Sequence, residues 1–286
     1  MPIDETIPTY MDSEPALKEA LSKLPDDKQD AVFTVFAFYK TAKAYARDEK
    51  DLEKLQAMKK NTKDTFEGAV PKEPLYEALY ESVMRFPSDI TPFMELLDGL
   101  KDDYYQKNTE TDADFEAYAL KTLGNLNRML LPILAQKTYK ENPKPLRKVS
   151  DALAQALTIT TVLRNVRDDL RDRRIFLPDK AIEQANVKIE HLRTGIVTPE
   201  YRSLVEQYID RAFEGYETFF DALDMLEKDA IVPVYTALRY YENLLKEIRK
   251  NDYNNITKRH SLGPIKKWTL RRKIKSELKK RGLPTA

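Results

Sequence analysis

An all-α chain is what this sequence predicts, on three observations. Glycine is scarce, 7 in 286 residues, while Ala, Leu, Glu, Lys and Tyr are plentiful, a composition that favours helix over sheet. No stretch of useful length alternates apolar and polar residues as a strand does, and no internal repeat is present. Apolar residues recur instead at three- and four-residue steps, the period of helices that bury one face. A chain of 286 residues can bury a substantial core, and the expectation is a single domain over 1–286 with a basic tail at 258–286.

Each element has its own signals. Ser13 is placed to cap a short first helix, with Glu14 and Pro15 in its opening turn and Pro25 closing it. Asp26 and Asp27 open a longer helix whose Ala31, Val32, Val35, Phe36, Tyr39 and Ala42 make a broad inward face. Its far end sets Lys40, Lys43 and Arg47 on one stripe, solvated by default. Lys50 to Thr65 is charged and reads as a surface helix or loop. Pro71 and Pro74 lead into a helix through Leu75, Leu79 and Val83, which Phe86, Pro87 and Ser88 break. Thr91 and Pro92 open the next, where Asp98 and Asp102 share a face with Asp103 beside it.

Asp112 and Asp114 precede a long, largely apolar helix from Phe115 to about Gln136. Gly124 inside it is worth about 1 kcal/mol less than Ala in a plain helix, which points to a bend or a close approach. Pro143 and Pro145 read as a linker, and Ser150 as the cap of a helix with Leu153, Leu157, Thr160 and Leu163 inward. A short helical segment after Pro178, a turn at Thr194 and Gly195, and helices from Pro199 to about Leu226 and from Val232 to Lys250 complete the pattern.

Composition excludes several kinds of chemistry. Without Cys there are no disulfides, thiolate zinc sites or cysteine nucleophiles. His191 and His260, the only histidines, are too few for a histidine-rich metal site. No run reaches the 18 or so apolar residues of a membrane span, and the acidic start MPIDETIPTYM lacks the regions of a signal peptide, so the expected compartment is the cytoplasm. Between Lys258 and Arg281 eleven basic residues face one acid, Glu277, so this segment carries +10 and the rest of the chain −9. Trp268, the only Trp, sits among Lys266, Lys267, Arg271 and Arg272, a combination suited to peripheral contact with an anionic membrane and equally to a solvated helix folded on the domain. The stacking pattern of nucleic-acid modules is missing, and no obligate protein partner is expected.

The chemistry concentrates in Leu163 to Pro178, LRNVRDDLRDRRIFLP. On a helix, Asn165, Asp168, Asp169 and Asp172 fall together at three- and four-residue spacing, while Arg164, Arg167 and Arg171 line a second face and Arg173 and Arg174 follow at its end. Oxygen ligands on one face can hold a Mg²⁺ that also takes phosphate oxygens, and the arginines can clamp the same phosphates. The spacing alone fits a solvated, salt-bridged surface as well.

In the order of its elements the chain resembles the squalene/phytoene synthase family. LRNVRDDLRDRRIFLP is similar to the family's second aspartate-rich motif, DGLKDD at Asp98 to Asp103 to its Asp-Gly-Met segment, and YALKTLGNLNRMLL at Tyr118 to Leu131 to its Tyr-Cys…Ala-Gly helix. LPDDKQDAVFTVFAFYK from Leu24 resembles the lead-in to the first aspartate-rich motif, and ALRYYENLLKEIRKNDYNNITKR the C-terminal helix and basic turn. The resemblance implies an all-α isoprenoid-synthase fold, helices around a deep cavity. It implies allylic diphosphates bound at the mouth through Mg²⁺, and a prenyl channel here walled by Phe36, Tyr39, Tyr118, Leu123, Leu126 and Leu157.

The departures from the family shape the expected function. Lys43, Ala44 and Arg47 stand where the first motif has aspartates, Lys40 stands for its preceding Arg, and the serine-rich substrate loop aligns with Glu14 to Leu17. In the second motif the first Asp is Asn165, and Thr158 and Thr161 replace amide ligands. The resemblance then implies at most one Mg²⁺ site, at Asn165, Asp168 and Asp169. A diphosphate is expected to meet Arg174, Lys40, Lys43, Arg47, Lys258 and Arg259, with Asp168, Asp169 and Tyr241 as the catalytic set. So altered a site resembles the aspartate-poor, YisP-like farnesyl diphosphate phosphatases, which implies hydrolysis of farnesyl diphosphate to farnesol and diphosphate. A head-to-head synthase making squalene, dehydrosqualene or phytoene is the alternative, and a non-catalytic prenyl-lipid binder the second.

Overall fold

Local signals place most helix starts. A computed structural model describes residues 6–105 and 108–285, and among these the chain is helical without a strand. The acidic residues 1–5 and the last residue of the basic tail lie outside the described residues. A turn, α1 (Thr6–Thr9), leads into α2 (Pro15–Leu21) and α3 (Asp26–Lys43), and a π-helical turn at Ala44–Asp48 ends α3. Then come α4 (Leu52–Phe66), α5 (Pro74–Arg85), α6 (Thr91–Tyr104) and α7 (Asp112–Ala119). A second π turn at Leu120–Gly124 joins α7 to α8 (Asn125–Leu134). The rest is α9 (Gln136–Glu141), α10 (Pro143–Arg171), α11 (Asp179–Gln184), α12 (Ile189–Arg193), α13 (Pro199–Phe220), α14 (Lys228–Lys250) and α15 (Pro264–Lys280).

Prolines sit in the first turns of α2, α5, α6, α10, α13 and α15, where their missing N–H would have no partner anyway. Side chains cap α4, α7 and α13. Asp51 accepts from the Lys54 N–H, Thr198 from the Tyr201 N–H, and Thr111 with Asp114 forms a reciprocal capping box.

Several expectations change in the structure. Pro143 and Pro145 are no linker but the opening of α10, and Ser150 lies buried inside that helix rather than at its cap. Ser13 does not cap α2; its hydroxyl accepts from Lys40. The 50–65 stretch is a helix that turns Leu55, Met58, Thr62 and Thr65 inward. The predicted break at Gly124 is the second π turn, and the close approach belongs to Gly99, where a Cβ would come within 2.9 Å of the Lys121 Cβ. The basic tail contains α15, which packs on α14 through Leu270, Ile274 and Leu278.

The axis of the molecule is α10, against which α13, α14, α8 and the second π turn all pack. Buried apolar residues from Ile7 to Leu278 form one contiguous cluster around it. No helix is long and apolar enough among the described residues to cross a membrane. The tightest approach at a glycine is at Gly215 of α13, where an added Cβ would lie 2.7 Å from the Ala152 carbonyl oxygen of α10. Backbone cannot yield as a side-chain tip can, so Gly215→Ala is expected to destabilise the fold by roughly 1–3 kcal/mol in denaturant unfolding.

Candidate functional site

Packing around α10 leaves a cavity of about 970 Å³ between α2, α3, α8, α10, α13 and α14. Leucine is the commonest residue of its walls, and Phe36, Tyr39, Leu123, Leu126 and Leu157 are among the apolar ones. The charged residues of the lining are Glu14, Lys40, Lys43, Arg47, Asp48, Lys50, Arg164, Asp172 and Arg174, and with Tyr241 they mark its mouth. Tyr118 is not in this wall. It lines a recess of about 30 Å³ beside the mouth, with Lys43, Arg47, Thr158, Thr161, Asn165 and Asp169. The buried Thr158 Oγ1 has no protein partner there, so the recess has the size and polarity to take a water or a phosphate oxygen.

Backbone irregularities aim the cations. The π turn after α3 inserts an extra residue and carries Arg47 towards α6, where Nε and Nη2 donate to the Asp103 carboxylate at 2.9 and 3.1 Å. Nη2 also donates to the Tyr118 hydroxyl at 2.9 Å, and that hydroxyl faces both Asp103 oxygens at 3.2 Å. At the end of α10, Arg173 takes a left-handed φ of 57°. The Arg173 and Arg174 N–H groups then bond back to the carbonyls of Leu170 and Asp169, a Schellman closure that reverses the chain and returns Arg174 to the mouth. Arg174 pairs with Asp103 at 3.6 Å, and both guanidinium groups lie over the Phe176 ring, at 4.7 and 4.5 Å. Asp103 is 2% exposed, and burial of its charge is tolerable only because of these partners.

Lys43 stands beside this cluster without a hydrogen-bond or ion-pair partner among the described residues, its ammonium 5.9 Å from the centroid of the Tyr39 ring. Burial lowers it to about 8, with Arg47 pushing the same way and Asp103 opposing. Across the recess, burial raises the Asp169 carboxyl to about 6 against the pull of Arg47, Lys43 and Arg174. On the other side of the mouth Glu14 takes both ends of Arg164 at 3.0 Å and receives the Tyr241 hydroxyl at 3.3 Å. Arg164 and Tyr241 are thereby committed to a carboxylate of the chain itself.

Asp168 is turned away from Asp169. One helical residue is a step of about 100°, and adjacent positions do not share a face. Asn165, Asp169 and Asp172 border the recess or mouth, whereas Asp168 accepts from Arg167 at 2.8 and 3.0 Å and lies 3.7 Å from Arg259 and 3.9 Å from Arg171. Lys258 is exposed and outside the cavity lining. The Mg²⁺ set expected at Asn165, Asp168 and Asp169 is not brought together: Asn165 and Asp169 share the recess, and Asp168 does not. Asp168 points elsewhere, the Asn165 oxygen accepts from Arg164 at 3.2 Å, and Asp169 stands among three side-chain cations with Asp172 as its neighbouring carboxylate at the mouth. No three carboxylate or histidine side chains converge among the described residues. Sequence reasoning missed Asp103, Glu14 and Phe176; the readable signals were the last acid of DGLKDD and a carboxylate aligned with a substrate-binding loop.

A model of the family described as squalene/phytoene synthase matches residues 19–272. The chain belongs to that family. Maize chloroplastic phytoene synthase 1 is 31% identical over 214 residues, 74% of this chain and 52% of that protein, so the chain spans about half the length of the curated relatives it matches. A crystal structure of a dehydrosqualene synthase in complex with ligand is 25% identical and superposes with a TM-score of 0.90 over 96% of each chain. YisP from Bacillus subtilis shares the fold at 20% identity, with a TM-score of 0.75 over 93% of each chain. The all-α isoprenoid-synthase fold therefore holds, in a family of enzymes that act on prenyl diphosphates.

The site makes two measurable statements. A bound anion favours the ammonium form of Lys43, so affinity for inorganic pyrophosphate, followed calorimetrically in chelator, is expected to fall as pH rises through about 8. Lys43→Met removes that step, read as a difference from wild type so that the ligand's own ionisation cancels. Asp103→Ala, which strands Arg47 and Arg174, is expected to lower unfolding free energy by roughly 3–5 kcal/mol.

Proposed function

We propose that this protein binds one long-chain prenyl diphosphate and hydrolyses it to the prenyl alcohol and diphosphate, with farnesyl diphosphate to farnesol the leading case. The observation that carries the reading is that, among the described residues, the guanidinium and ammonium groups left open at the mouth form one cluster. Lys43, Arg47 and Arg174 face the cavity, whereas Arg164 is filled by Glu14. Head-to-head coupling needs two diphosphates held at once, and a single seat orients only one.

In this reading the prenyl chain lies along the leucine walls and its diphosphate meets Lys43, Arg47, Arg174 and Lys40. The C1–O bond breaks with its electron pair leaving on the diphosphate, and preorganised side-chain cations stabilise that charge as it grows. Water adds to the allylic cation and loses a proton, giving the alcohol. Asp169, on the recess beside Lys43, is the carboxylate available to take it. Asp168 acts only at a distance, by engaging Arg167 and Arg259. Tyr241 orients Glu14.

A second reading, a head-to-head synthase, has two observations in its favour. The cavity is at the upper end of small-molecule pocket volumes, enough for more than one chain, and the phytoene synthase relatives are about 30% identical. Product analysis with farnesyl diphosphate separates the readings. The expected result is farnesol with stoichiometric diphosphate, a rate on the order of 10²-fold lower in Lys43→Met, and persistence in chelator. A C30 hydrocarbon or cyclopropyl diphosphate from wild type would establish the synthase instead, and binding without turnover would leave a prenyl-lipid carrier. Glu14→Ser, which frees Arg164, is expected to shift product towards C30 if the single seat is what prevents coupling.

A further inference from the structure

The helix α15 faces the domain with Leu270, Ile274 and Leu278, and its opposite stripe runs through Ile265, Trp268, Arg272, Lys275 and Lys279 at three- and four-residue steps. Ile265 is 81% and Trp268 57% exposed, and Arg272 stacks on the Trp268 ring at 4.8 Å. Two cations on the flanks of α15 are used in attachment: Lys266 pairs with Glu247 of α14, and Arg271 with Glu19 of α2 and the Tyr240 hydroxyl. Arg272, Lys273, Lys275, Lys279 and Lys280 have no carboxylate partner among the described residues and point outward. The first half of α15 is also tied to elements that line the cavity: Arg271 is held on α2, whose Leu17 and Leu21 line it and which Glu14 precedes, and Lys266 on Glu247, less than two turns beyond Tyr241 on α14.

We propose that the outer stripe of α15 seats the protein on an anionic lipid bilayer, with the mouth of the cavity next to the membrane surface. A row of unpaired cations complements an anionic headgroup layer, and an exposed Ile and Trp at its head supply the apolar contact that a purely electrostatic stripe lacks. A nucleic acid would use the charges but not the isolated aliphatic tip. The surface serves an amphiphile well: a prenyl chain can pass between bilayer and leucine-walled cavity without crossing open water.

Trp268 is the only Trp, so its emission reports on this face alone. The full chain is mixed with vesicles of pure phosphatidylcholine or of equimolar phosphatidylcholine and phosphatidylglycerol, then followed by co-sedimentation and fluorescence. The expected result is sedimentation and a blue shift with the anionic vesicles only, lost on adding salt. Arg272→Gln, Lys275→Gln and Lys279→Gln each weaken partitioning by about fivefold. Ile265→Ser with Trp268→Ser abolishes sedimentation while leaving the melting temperature unchanged, since both side chains are exposed. Absence of sedimentation, sedimentation with unshifted emission, variants that bind as wild type does, or a shift with duplex DNA and none with vesicles would each overturn the proposal. No turnover is needed, so failure here and failure of the hydrolysis reading are independent.

Discussion

The buried carboxylate of Asp103 is the constraint on which the mouth of this molecule depends. An ionised group 2% exposed must be surrounded by donors, and Arg47, Arg174 and the Tyr118 hydroxyl converge on it from three separate segments. Satisfying it requires the π turn that swings Arg47 off the end of α3, the Schellman closure that brings Arg174 back from the end of α10, and the reach of Tyr118 from α7 to the end of α6. Phe176 then serves as the surface under both guanidinium groups. The cluster fixes two cations at the edge of an apolar cavity without either being free to swing away.

Glu14 does the opposite across the mouth. Asp103 holds its arginines from behind and leaves Lys43 and the cavity-facing side of the cluster open to an anion. Glu14 reaches into the mouth and occupies Arg164 from the front. Two carboxylates of similar chemistry therefore organise one seat and close another. The cations are also covalently fixed charges. They need no ion to be recruited with the substrate, but a lysine near 8 can lose its charge in an ordinary pH range, which a metal ion cannot.

Depth and surface suit the same kind of ligand. Burying a fifteen-carbon chain at about 0.8 kcal/mol per methylene gives a gross driving force on the order of 10 kcal/mol, so the leucine walls would hold a prenyl alcohol nearly as well as its diphosphate. Release into water would be slow for such a product. With the basic helix docked on a bilayer as proposed, an apolar phase would stand beside the mouth in place of water.

What the sequence by itself determined was what local chemistry dictates. Scarce glycine and helical periodicity specify the all-α class, paired acids and first-turn prolines specify where α3, α5 and α13 begin, and the leucine- and aromatic-rich stripes supply the walls of a cavity. Five motifs in the right order specify the family. Direction was not legible. Pro143 and Pro145 suit a linker and a first helical turn equally, and a step of one residue separates Asp169 in the recess from Asp168 outside it. Lys43 and Arg47 look like a solvated stripe until the π turn and a carboxylate 56 positions beyond Arg47 draw the guanidinium inward. Glu14 and Arg164, 150 positions apart, meet only because α2 packs on α14, which itself lies against α10. Periodicity records which side of a helix is apolar, but the desolvation that makes a buried charge demand its partner exists only once distant segments have packed around it, and that is what only the tertiary structure decided.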